Sequence, residues 1–302
     1  MTSTSIDQQV AWARSSALVV AAGERCVLAV TGSERLSWLN GLLTCDLSAR
    51  KVGEAVHGLA VGQKGKIVTD VVVVVDETRA LLVVQRATAD ALVAAFEHHL
   101  MMEDAELAQV TSEVAFVHGP RSGEVLEAVR RAGGVGGSFD VTGSGGAVLV
   151  LDAGSAAERV LLQAATDAGG GEGDASGWEA VRVLAGVPRF GVDFDEGTYP
   201  QEAALETKAV SFEKGCYLGQ EVVCMLEMRG HVKKKLVLLA VEGGEVPRAH
   251  APVVDANGAA IGEVTSAVHA AEGAVRALAM VKYTFIASGT AVVVGGHAAR
   301  VV

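Results

Sequence analysis

Residues 17–31, ALVVAAGERCVLAVT, hold two short apolar runs around Gly-Glu-Arg and predict two strands joined by a turn at Gly23. In GSERLSWLNGLLTCDL the pattern lengthens to a helical period. Leu36, Leu39, Leu42 and Leu43 share one face behind Ser33, which predicts a helix capped by Ser33. Residues 57–85 predict three strands with turns at residues 62–65 and 76–78. Residues 71–75 are an unbroken valine run, read as a buried strand and far too short to cross a bilayer. The periodicity then predicts a helix over residues 89–103, a strand over 108–119, and a helix over 123–134 closed by glycine. Residues 139–151, FDVTGSGGAVLVL, read as a hairpin turning on the glycine run. Residues 169–177, GGGEGDASG, are the sharpest break in composition and predict a loop before the helix WEAVRVLAG.

The strand–helix–strand–strand–helix order on both sides of residue 110 points to α+β sheets covered on one face. After His231 the chain becomes short strands between glycine turns, which predicts a small antiparallel β-barrel. The domain expectation is a two-subdomain α+β region over residues 1–230 and a barrel over residues 231–302.

The length of 302 residues allows a sizeable core, and half of the residues are hydrophobic with few aromatics, so Val, Ala and Leu supply the packing. A net charge of −11 argues against direct nucleic-acid binding, leaving Lys233, Lys234 and Lys235 as a local basic patch or a solvated strand entrance. Four cysteines, at positions 26, 45, 216 and 224, show neither CxxC nor zinc-like spacing, so no metal site is expected. They do not suggest a disulfide framework, which favours a reducing compartment. The N-terminal stretch lacks the basic and apolar segments of a secretory signal, and no membrane span is expected. The expected location is cytoplasmic.

Residues 208–235, KAVSFEKGCYLGQEVVCMLEMRGHVKKK, carry the candidate chemistry. Cys216 follows Lys214 across Gly215, and YLGQEVVCML has the apolar spacing of a short helix. A thiol at a helix start beside a cation is in the setting that favours thiolate. The competing reading is a small buried hydrophobe; the polar, glycine-rich flanks favour function for Cys216. Cys224 reads as core, and Arg229 as either a carboxylate or phosphate clamp or a surface ion pair. Asp70, at the exit of the Gln63–Lys66 turn, could reach the rim of a central cavity, although spacing alone favours a solvated hairpin. Residues 182–206 are rich in acids. Asp193, Asp195, Glu196, Glu202 and Glu206 could accept the N–H edge of a heterocycle, while composition alone favours a solvated loop. His98 and His99 suit the C-terminal dipole of their helix better than a metal.

KGCYLGQE, followed by Arg229 and Gly230, resembles the hallmark of the YgfZ family of folate-binding proteins, relatives of the glycine-cleavage T-protein, a tetrahydrofolate-dependent aminomethyltransferase. LAVTGSERLSWLNGLLTCDL, GQKGKIVTDVVVV, RVLAGVPRFGVDFDEGTYPQEAAL and IGEVTSA resemble further family segments in order. The resemblance implies three subdomains in a ring around a central folate channel, a tetrahydrofolate or one-carbon-derivative cofactor, and partners among iron–sulfur proteins or their assembly machinery, including enzymes of tRNA modification. It makes Cys216 the key thiol, with Lys214, Tyr217, Gly219, Gln220 and Glu221 as its motif and Arg229 the arginine that follows. Thr69-Asp70 keeps only the second of the T-protein's paired acids, and Leu184-Ala185-Gly186 replaces its Glu-Ala-Gly. The implied function is therefore accessory, supporting iron–sulfur assembly or repair, with aminomethyl transfer as the alternative.

Overall fold

The computed structural model describes residues 4–270 and 274–302. Residues 1–3, at the start of the stretch read above for a targeting signal, lie outside the described residues.

Two five-stranded sheets and a closed six-stranded barrel make up the molecule. The first sheet contains β2 (Arg25–Thr31), β3 (Ala55–Val61), β4 (Ile67–Val75), β5 (Ala80–Gln85) and β6 (Glu106–Val110), in the order β3-β4-β5-β2-β6. The second contains β1 (Leu18–Ala21), β7 (Glu113–His118), β8 (Val135–Ser138), β9 (Gly146–Leu151) and β10 (Gly171–Glu172), in the order β10-β1-β7-β9-β8. The turn at Gly23 therefore does not close a hairpin; β1 and β2 leave it for different sheets. Likewise the strand expected over residues 108–119 is divided at residues 111–112, with one half in each sheet.

The valine run explains how the layers stack. Val71 and Val73 of β4 face a core shared with α2 (Arg35–Leu42) and α3 (Ala89–Glu97), whereas Val72 and Val74 face Val114, Val148 and Val150 of the other sheet. A strand buried on both sides has no polar face to alternate with, hence the unbroken run. Each buried valine contributes roughly 1.5 to 3 kcal/mol. The second sheet is covered in turn by α4 (Ser122–Arg131) and α5 (Ala156–Asp167). The expectation of sheets covered on one face is corrected to four layers, helix–sheet–sheet–helix.

Other boundaries also move. Ser33 does not cap α2: its hydroxyl and N–H bond Asp104, and Glu34 is the N-cap. The helix over residues 89–103 stops at Glu97, with His98 as C-cap. The hairpin strand is β8, not residues 139–141, because Asp140 turns back to accept the N–H groups of Thr142, Gly143 and Gly145. The glycine-rich break contributes β10 as well as a loop, pairing parallel with β1.

α1 (Ile6–Ser15), capped by Ser5, packs with α6 (Ala175–Leu184) beside β1. Two further helices, α7 (Glu206–Ala209) and α8 (Gln220–Arg229), precede the barrel. The barrel runs from β11 (Lys234–Val241) through β12 (Pro252–Val254), β13 (Ala260–His269), β14 (Val275–Lys282) and β15 (Ala291–Val294) to β16 (His297–Val301). No helix among the described residues is long and apolar enough to cross a membrane.

Candidate functional site

A cavity of about 460 Å³ opens where one end of the first sheet meets β7 and α6. Four adjacent strands each bring a polar side chain to that end: His57 from β3, Asp70 from β4, Gln85 from β5 and Arg25 from β2. Arg25 Nη2 donates to Asp70 Oδ2 at 2.7 Å, and Gln85 Nε2 donates to Oδ1 at 3.2 Å. His57 Nε2 lies 3.9 Å from Oδ2. Burial pushes the Asp70 carboxyl upward, but the Arg25 guanidinium and His57 outweigh it and hold the group well below the usual carboxylate range. Asp70 is thus an ionised, paired carboxylate on the cavity wall rather than a solvated hairpin residue. Phe116, Phe139 and Trp178 add aromatic rings to the lining, Phe116 beside Arg25 and Phe139 beside His57.

KGCYLGQE lies outside this lining, beside the end of α2 and the turn between β3 and β4. Lys214 Nζ donates to the carbonyls of Asn40, Leu43 and Cys45 at 2.6, 2.8 and 2.7 Å. An ammonium has three hydrogens, and here all three cap the carbonyl end of α2. Burial lowers the Lys214 pKa despite that setting. The expectation that Lys214 activates Cys216 is corrected: its donors are committed elsewhere. Nor does Cys216 begin a helix, since α8 starts at Gln220 behind the left-handed Gly219. Cys216 is exposed, with no partner among the described residues' hydrogen bonds. Tyr217 is buried, its ring 5.2 Å from Lys214 Nζ. Burial and the neighbouring Cys224 push its phenol up. Cys224 is half-buried rather than core.

Glycine at 219 follows from a close approach. At φ +77°, a Cβ there would lie 2.3 Å from the Gly62 carbonyl oxygen, and one on Gly65 would lie 2.9 Å from Val222 Cβ. The GQKG turn and the KGCYLGQE loop therefore interlock through two missing side chains. Leu218 N–H also donates to the Gly41 carbonyl. Three separated motifs meet in one packed joint.

Residues 2–134 match the family described as the GCVT N-terminal domain. The chain is similar to an aminomethyltransferase of Thermotoga neapolitana, 28% identical over 286 residues that span 87% of this chain and 77% of the relative. It is also similar to an aminomethyltransferase of Streptomyces avermitilis, 30% identical over 295 residues, 87% of this chain and 78% of the relative. The chain belongs to the aminomethyltransferase family. The fold agrees: the crystal structure of the glycine cleavage system aminomethyltransferase T from Bartonella henselae superposes with a TM-score of 0.84, covering 98% of this chain and 88% of that one at 21% identity.

On this aminomethyltransferase-family frame the acidic segment serves the architecture. Asp193 is buried, and its Oδ2 accepts from Arg182 Nη1 at 2.6 Å and Arg189 N–H at 2.9 Å. Its Oδ1 accepts from the Thr265 and Ser266 hydroxyls of β13. With both oxygens doubly occupied, Asp193 is corrected from a cavity ligand to a joint between α6 and the barrel. Glu202 accepts from Tyr199 N–H, Asp195 from the Thr198 hydroxyl, and Glu206 pairs with Lys235. That last pair also takes Lys235 out of any free basic patch. Gln220 is half-buried, whereas Glu221 and Arg229 are exposed on α8, away from the cavity lining.

Sequence reasoning missed Arg25, Gln85, His118 and Trp178 as cavity residues. Arg25, Gln85 and His118 sit at strand ends and Trp178 in the first turn of α6, where strand and helix patterning carries little information about what the side chain faces.

Proposed function

We propose that the cavity binds a reduced folate, tetrahydrofolate or a one-carbon derivative, and that the chain is a YgfZ-type accessory protein supporting iron–sulfur cluster assembly or repair. The observation that carries the folate reading is the cavity itself. Its volume suits a small ligand, aromatic rings offer a face to a planar heterocycle, and the polar groups of Asp70 and Arg25 share the lining. Buried, unpartnered nitrogens on Arg25 and His118 indicate polar capacity left for a ligand. Tetrahydrofolate, when bound, supplies a carrier for a one-carbon unit.

An accessory role is preferred because Asp70 is already spent on Arg25 and Gln85. A carboxylate held that far below its usual range is a weak proton acceptor. Cys216, exposed and outside the lining, is placed to meet a partner protein rather than the bound folate. Titrating the protein anaerobically with tetrahydrofolate tests the first part, with saturable one-site binding expected. For the second, a Cys216→Ala variant should fail to restore iron–sulfur enzyme activity in a deletion strain; full restoration would refute the thiol's role.

Aminomethyl transfer is the second reading, favoured by the names of the relatives that cover most of the chain. Release of a labelled aminomethyl carbon to tetrahydrofolate faster than in a protein-free control would establish it.

A further inference from the structure

The Arg25–Asp70 pair leaves a second polar feature of the cavity unexplained. His118, the last residue of β7, is 2% exposed and lines the cavity. Its imidazole lies flat on the Trp178 indole, with centroids 4.2 Å apart and planes within 8°, and faces the Phe116 ring at 6.2 Å. Neither Nδ1 nor Nε2 meets a hydrogen-bond partner among the described residues. A phenyl ring would make the same stack without leaving two buried polar atoms unmet, so packing alone does not account for histidine here. Burial pulls the imidazole down to about 4, so at neutral pH it offers one N–H and one bare nitrogen.

Arg25 Nη1 is a second buried nitrogen without a partner, and its guanidinium lies 5.7 Å from the same Phe116 ring. Phe116 is thus flanked by two groups with unspent hydrogen-bond donors. The Asp70 carboxylate, by contrast, already accepts from Arg25 and Gln85.

We propose that His118 orients the ligand, its N–H donating to the acceptor edge, a carbonyl oxygen or ring nitrogen, of a planar heterocycle held on the aromatic wall. The inference rests on the folate reading and adds an orientation to it. The ligand turns an acceptor edge toward His118 and Arg25, instead of offering its amino edge to a free carboxylate. Both imidazole nitrogens are covered in this structure, so ligand binding on this reading includes a local shift of the cavity wall around His118.

The test is calorimetric titration with 5-formyltetrahydrofolate and with tetrahydrofolate, using the full chain and a His118→Phe variant. Affinity is expected to fall about tenfold in His118→Phe, the loss of one buried hydrogen bond. Its melting temperature should rise, since an unmet polar ring becomes an apolar one. A purely structural histidine would leave affinity unchanged. Independently, the imidazole nitrogen resonances of His118 should shift in the wild-type protein on saturation. Equal affinity in the variant, or unmoved resonances at saturation, would overturn the role of His118 while the folate reading stands. If the wild-type chain binds neither folate, both readings fall.

Discussion

Removing the Asp70 carboxylate leaves the Arg25 guanidinium without its ion partner on a largely buried wall. Asp70→Asn is expected to cost about 3 kcal/mol near neutral pH, measured by urea unfolding. The folded-state pKa is depressed, so this contribution is complete above the unfolded value of ~4 and is lost as pH falls through the folded value. The gap between wild type and variant should therefore narrow steadily below pH ~4. Lys214 makes the opposite lesson available. Lys214→Met should destabilise the chain by about 2 kcal/mol, because three carbonyls at the end of α2 lose a charged donor.

At the scale of elements, the joint between the GQKG turn and α8 depends on two absent side chains. Gly219→Ala combines a left-handed backbone with a Cβ driven into the Gly62 carbonyl, and should cost about 2 to 3 kcal/mol. Gly65→Ala strains the same joint at a second contact, against Val222 of α8. The double variant should cost less than the two single losses added together, as a double-mutant cycle would read out. Helix and strand identity were readable element by element from periodicity, in α4 and in β5 above all. Pairing was not: β1 and β2 look like a hairpin in sequence, and only competition among strands sends them to different sheets.

Across the whole molecule, one buried cluster ties the barrel to the rest. Arg182, fully buried, bonds Asp193, the Val187 carbonyl and the Ser266 hydroxyl, while Asp193 takes the hydroxyls of Thr265 and Ser266. Asp193→Ala would leave the buried Arg182 with the half-buried Glu179 as its remaining ion partner, an expected loss of about 3 kcal/mol seen in thermal or denaturant unfolding. No local feature of RVLAGVPRFGVDFDEGTYPQEAALE separates this aspartate from Asp195 or Glu196, which remain at the surface. The amino-acid sequence by itself determined the α+β character, the terminal barrel, the valine strand's burial and the turn glycines, because period and backbone preference act over neighbouring residues. Tertiary structure alone decided which acid became a cavity wall, which a joint, and that Lys214 caps a helix instead of serving Cys216. Those outcomes depend on hydrogen-bond partners 4 to 174 residues away, and a charge is assigned its task only by the groups that folding brings within about 3 Å of it.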